Sequence, residues 1–202
     1  MTVFALMLAG CGTGRTTSPT GNEGASPSSA ATETTVPGLP TEGEAGSVPF
    51  SAFDLDIVFT QVQSMAAAGV PIENRVEASG RVRLTVDASQ DPPTVSGEGS
   101  LPVSGGGRVG GVAFTNSGSV SYRFAGTVVR SASGGFELRL GGQRSMVVAA
   151  RPAGPSASTP FEPFEAQTLV AEDGYVHEWS WRQASAGVSG TEKWTLHVHD
   201  VP

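Results

Sequence analysis

The chain has one cysteine, one lysine, and no apolar run long enough to cross a membrane as a helix. Each scarcity excludes something. A single thiol, Cys11, rules out a disulfide within the chain, so the body must be held by its own core. A spanning helix needs about 20 apolar residues, and the longest stretch of that kind, Val3-Phe4-Ala5-Leu6-Met7-Leu8, is far shorter. Basic charge is also scarce. Twelve Lys and Arg stand against nineteen Asp and Glu, a net charge of −7, and such a balance repels phosphate backbones, so nucleic acid is not an expected partner. Glycine, by contrast, is abundant at 27 residues, which suits a chain of many turns.

The lone cysteine ends the sequence Leu8-Ala9-Gly10-Cys11, directly after the short apolar run. Small residues before a cysteine give a peptidase and an acyl transferase access to backbone and thiol. This stretch resembles the lipobox of bacterial lipoproteins. The resemblance covers the first eleven residues and implies a signal peptide over 1–10, cleavage before Cys11, and covalent lipid on Cys11. Several acyl chains, at about 0.8 kcal/mol per buried methylene, would hold such a protein stably to a membrane. The implied location is the bacterial cell envelope, outside the cytoplasm. Met1-Thr2 supply no basic n-region, so the signal is expected to start upstream of Met1.

Residues 12–48 are mostly Gly, Ser, Thr, Pro, Ala and Glu. Side chains of this kind bury too little surface to offset the entropy of ordering. A disordered tether over 11–48, with a reach of roughly 30–35 Å, is therefore expected ahead of one β domain over 49–202.

From Phe50 onward the apolar period is two. Phe53, Leu55, Ile57 and Phe59 alternate with Asp54 and Asp56. Val76, Ala78, Val82 and Leu84 alternate with Glu77, Arg81 and Arg83. Val120, Tyr122 and Phe124 form another such row, as do Phe136, Leu138 and Leu140. One apolar and one wet face is the mark of antiparallel strands over a single core. Asn116-Ser117-Gly118, Ser133-Gly134-Gly135, Gly141-Gly142 and Glu172-Asp173-Gly174 read as turns. Nine or ten strands result, with one short helix over Val62–Ala68 stopped by Gly69 and Pro71. The predicted class is all-β: an antiparallel meander forming a β-sandwich or a partly open β-barrel, with the hairpin-like links favouring the barrel.

Candidate chemistry concentrates at the C-terminal end. His197 and His199, two apart on a strand, share a face and suit a metal, with Glu178 or Asp200 as a further ligand. The alternation places Tyr175, His177, Trp179 and Trp181 on one face and Trp194, Leu196 and Val198 on another. If these rows meet in the core, His177 points in while His197 and His199 point out beside Glu178. That register disfavours a three-histidine site and leaves a solvated face as the simpler reading, with no metal or other cofactor expected beyond the lipid. The tryptophans read as core rather than as a ligand platform. The stretch Pro152–Pro163 reads as a loop or edge cover. It runs into Pro160-Phe161-Glu162-Pro163-Phe164-Glu165, whose Phe161 and Phe164 are either a plug for one end of the barrel or a binding surface. Gly105-Gly106-Gly107-Arg108-Val109-Gly110 formally matches GxGxxG, but strand follows rather than helix, so a hairpin loop explains it better than a dinucleotide site. No serine lies in a nucleophile elbow, and the only cysteine lies in the signal. The expected function is a lipid-anchored envelope domain that binds a ligand or an envelope protein. The alternatives are a carrier of an apolar molecule and a metal-assisted hydrolase using the C-terminal histidines.

Overall fold

A computed structural model describes residues 48–152, 156–183 and 187–200. The lipobox, Cys11 and the proposed tether lie outside the described residues. Eight strands follow one another: β1 (Phe50–Ala67), β2 (Val70–Asp87), β3 (Thr94–Val109), β4 (Val112–Arg130), β5 (Phe136–Arg151), β6 (Ala157–Val170), β7 (Val176–Gln183) and β8 (Val188–Asp200). All pair antiparallel in one sheet, in the order β6-β5-β4-β3-β2-β1-β8-β7. The sheet is curled into a half-barrel, as the alternation predicts, and the sandwich alternative falls away. Every strand neighbours its successor except β6, which lies at the opposite end of the sheet order from β7. β8 returns to β1, from Phe50↔Asp200 to Gln63↔Val188, which leaves β6 and β7 as the two free edges. A side-chain hydrogen bond links those edges: His177 Nε2 lies 2.9 Å from Gln167 Oε1.

Three local expectations need correction. Val62–Ala68 is not a helix. β1 runs on to Ala67 because Gln61 and Gln63 keep the period of two on the buried face and the ladder to β2 continues to Ala67↔Val70. Pairing to a neighbour outweighs the weak helix preference of Met65-Ala66-Ala67. The reversal follows at Ala68 and Gly69, with φ of 50° and 77°, the two positive values of a tight I′ turn. Asn116-Ser117-Gly118 and Gly141-Gly142 are not turns but lie inside β4 and β5, so the strands number eight. Gly142 sits at a register shift, where a side chain would meet the Phe164 ring and the Arg123 carbonyl.

The Gly105–Gly107 run is likewise strand, within β3; the hairpin is Gly110-Gly111, with φ of 56° and 86°. Its lack of side chains has a use. Asn116 on β4 reaches across β3 to β2, donating from Nδ2 to Asn74 Oδ1 at 2.7 Å and to the Arg75 carbonyl at 2.8 Å. Gly107 stands opposite Asn74, and a Cβ there would fall on the Glu73 carbonyl oxygen.

The core lies on the concave face. At the end carrying Phe50 it is wholly apolar: Phe53, Leu55, Leu84, Val95, Val128, Leu138 and Leu169 are buried. Mid-way, aromatic rings take over. Trp194 has its ring 4.7 Å from that of Trp179, 5.4 Å from Phe124 and 5.9 Å from Phe164. The C-terminal tryptophans are core, as their spacing indicates. Toward the β1–β2 turn the inward positions become polar, with Gln61, Gln63, Asn74, Asn116 and Glu192 all buried.

Candidate functional site

Two groups of charged side chains stand out, one inside the curled sheet and one outside. The inner group begins with Arg144. On β5 the inward row is Leu138, Leu140, Gly142, Arg144, Met146, so strand geometry alone points a guanidinium at the core. On β8 the inward row is Val188, Gly190, Glu192, Trp194, Leu196. The two meet: Arg144 Nη1 donates to Glu192 Oε2 at 2.5 Å, with 25% of the arginine side chain and 2% of the glutamate exposed. Trp194 Nε1 donates to the other carboxylate oxygen at 2.9 Å. The guanidinium lies 4.9 Å from the Phe59 ring centre and 5.9 Å from that of Trp181. Burial pushes the Glu192 carboxyl above its usual range, against the opposing pull of Arg144, Trp194 and Tyr122.

Two donors beside this pair are left over. Tyr122 stands directly opposite Arg144 in the β4–β5 ladder. Its hydroxyl is buried and makes no hydrogen bond of good geometry, although it lies close enough to the Glu192 carboxylate and the Arg144 guanidinium to feel both. Burial together with the nearby Glu192 charge raises its pKa well above the ordinary tyrosine value. Trp181 on β7 pairs with Gly190 and lays its indole over that glycine, where a Cβ would come within 2.4 Å of the ring. Its Nε1–H is buried and unpartnered too. Buried donors without partners are uncommon in folded proteins, and here two flank one ion pair near the free edges of the sheet. The sequence carried a signal for this group, since Arg144 and Glu192 interrupt apolar inward rows, but which rows would face each other was not legible.

The outer group is a ladder of alternating charge across β2, β1 and β8. Arg81 holds Asp56 with two bonds, Nε to Oδ1 at 2.6 Å and Nη2 to Oδ2 at 2.8 Å. Arg83 Nη1 donates to Asp54 Oδ1 at 3.3 Å. From the other side, His197 Nε2 meets Asp56 Oδ2 at 3.1 Å and His199 Nε2 meets Asp54 Oδ2 at 2.9 Å. His197 Nδ1 lies 3.5 Å from Asp173 Oδ1. Each aspartate therefore sits between an arginine and a histidine. For Asp56 the Arg81 bond dominates and lowers the pKa. For Asp54 burial is the largest influence and acts upward, but the His199 bond and the Arg83, His199 and Arg81 charges together outweigh it and lower the pKa.

The proposed metal set is not assembled. His197 and His199 do point outward, but their partners are Asp56 and Asp54. Glu178 is exposed on β7 opposite Lys193, four residues along β8 from His197, or about 13 Å at the rise of a strand. Among the described residues no three His, Cys, Asp or Glu side chains are placed to hold a metal ion. The two phenylalanines part company. Phe164 turns inward against Tyr122, Phe124 and Trp194. Phe161 lies outside the core, under the Arg123 guanidinium at 4.1 Å. They do not share a face, because they lie three residues apart on the β6 edge strand and an odd separation along a strand turns side chains to opposite sides. Pro152–Pro163 accordingly includes the start of that edge strand, with Pro160 within it, where a missing N–H costs least.

The chain matches no protein-family model, no curated protein and no solved structure. Function rests on the site alone.

Proposed function

We propose that this protein is a lipid-anchored binding domain of the bacterial envelope, and that its site is the polar part of the curled sheet's interior, reached between β6 and β7. The observation that carries the reading is the set of unpaired buried donors, Tyr122 OH and Trp181 Nε1–H, flanking the Arg144–Glu192 pair. A protein gains no stability from such atoms, since each unmet donor costs about 1–3 kcal/mol. A ligand supplying acceptors would recover that cost on binding. The free edges add a way in: they are not joined by a backbone ladder, and a side-chain bond from Gln167 to His177 links them. The apolar and aromatic surroundings suit an amphipathic molecule with its polar end at Arg144 and an apolar portion against Trp179, Trp181 and Phe164. The lipobox-like Leu8-Ala9-Gly10-Cys11 supports the anchor. The histidines of β8, already held by Asp54 and Asp56, offer little to a hydrolase.

Native mass spectrometry of the full-length protein, released from membranes in mild detergent, tests both parts. The expected spectrum shows acylated protein and a second population heavier by a constant amphiphile mass, reduced by Trp181→Ala. Non-acylated protein in the soluble fraction refutes the anchor, and uniformly bare protein refutes the interior site.

A further inference from the structure

The charges at the inner site bear on which amphiphiles it would accept. Arg144 and Glu192 compensate each other in a place where Glu192 is 2% exposed. An ionised carboxylate or phosphate seated there would set two anions against one guanidinium out of water. It would have to break the 2.5 Å Arg144–Glu192 bond or enter without a counter-charge, and both are costly in a desolvated site. A cationic head would meet the guanidinium itself. Beside the ion pair the two groups with unused capacity can donate: the Tyr122 hydroxyl, opposite Arg144 on the adjacent strand, and the Trp181 indole N–H, on the ring that lies over Gly190. The other unmet polar atoms among the described residues, Gln63 Oε1 and Asn116 Oδ1, are acceptors toward the β1–β2 turn. Donors without a compensating anion require acceptor oxygens that carry no charge.

Building on the interior site proposed above, we infer that the ligand is a neutral amphiphile whose ester, amide or alcohol oxygens accept from Tyr122 and Trp181 while the Arg144–Glu192 pair stays intact. Glu192 is then a specificity residue. It occupies the guanidinium and so turns away the acids that an unpaired buried arginine would bind. Trp194, donating to its other oxygen at 2.9 Å, holds it in that role.

The test uses the full-length protein in mild detergent, loaded with a neutral naphthylamine probe whose emission rises in apolar surroundings. Three competitors of one chain length are compared at neutral pH: a monoacylglycerol, the free fatty acid and the alkylamine. The monoacylglycerol is expected to displace the probe at about one-tenth the concentration the other two need, the worth of roughly one hydrogen bond to an otherwise unmet donor. Tyr122→Phe, which keeps the ring, should abolish that preference without weakening the probe. Glu192→Gln, which frees Arg144, should reverse it in favour of the acid. A wild-type preference for the fatty acid, or an unchanged order in both variants, overturns the inference and leaves the interior site standing. A probe that fails to bind at all removes the interior site as well.

Discussion

The inner and outer ion pairs are built from the same kinds of side chain and respond to their surroundings in opposite directions. Outside, Asp56 is 39% exposed and shared between Arg81 and His197, and its pKa falls. Inside, Glu192 has Arg144 as its one cation, and its pKa rises because burial outweighs the attraction. Water makes the difference. At the surface a carboxylate loses little hydration and gains two partners, whereas in the core it loses nearly all its hydration for one cation and an indole donor. The exposed pairs therefore contribute little each, and the buried pair is costly to disturb from one side.

The sharpest way to break the comparison is to remove one inner partner. Arg144→Met should destabilise the domain by about 3–5 kcal/mol, because it strands a buried carboxylate. Adding Glu192→Leu should recover most of that loss, and denaturant unfolding of both variants measures it. Full recovery of stability by the double variant, together with lost probe binding, would assign the pair to function rather than folding. Outside, Asp54→Asn should cost about 1 kcal/mol, since Asp54 is itself 11% exposed but its partners Arg83 and His199, which the change loosens together, face solvent.

Acid sharpens the contrast through its sign. The outer aspartates have lowered pKa values when folded, so their contribution is present above the unfolded value of about 3.9 and is lost as pH falls through the folded values. Glu192, with a raised folded pKa, works the other way: its contribution is whole below the unfolded value of about 4.3 and is lost as pH rises through the folded value. Stability measured from pH about 3 to about 6 should thus rise more steeply with pH in Glu192→Gln than in the parent, and less steeply in Asp54→Asn. Parallel curves for all three would show that neither group is linked to folding.

Much of this arrangement was legible residue by residue. Phe53 to Phe59, Val120 to Phe124 and Phe136 to Leu140 announced their buried faces by alternation, and the same alternation turned His197 and His199 outward and Trp194 inward. The misses share one cause. Gly118 and Gly142 read as turns because glycine commonly marks reversals, yet in the fold they admit close neighbours within strands. The Val62–Ala68 stretch read as helix because, without β2 beside it, nothing local opposed that choice. Glu178 was grouped with the histidines because all three face outward, but the β7–β8 register slides it away to Lys193.

What the sequence determined by itself is which side of each strand is wet, since that depends only on a period of two along one chain. Which wet or dry residues meet was decided by the curl and register of the whole sheet. Asp54 and Asp56 reach His199 and His197 from 145 and 141 residues away, and Arg144 meets Glu192 across the interior only because β8 returns to β1. Those encounters depend on strand pairing between distant segments, and local composition holds no record of that pairing.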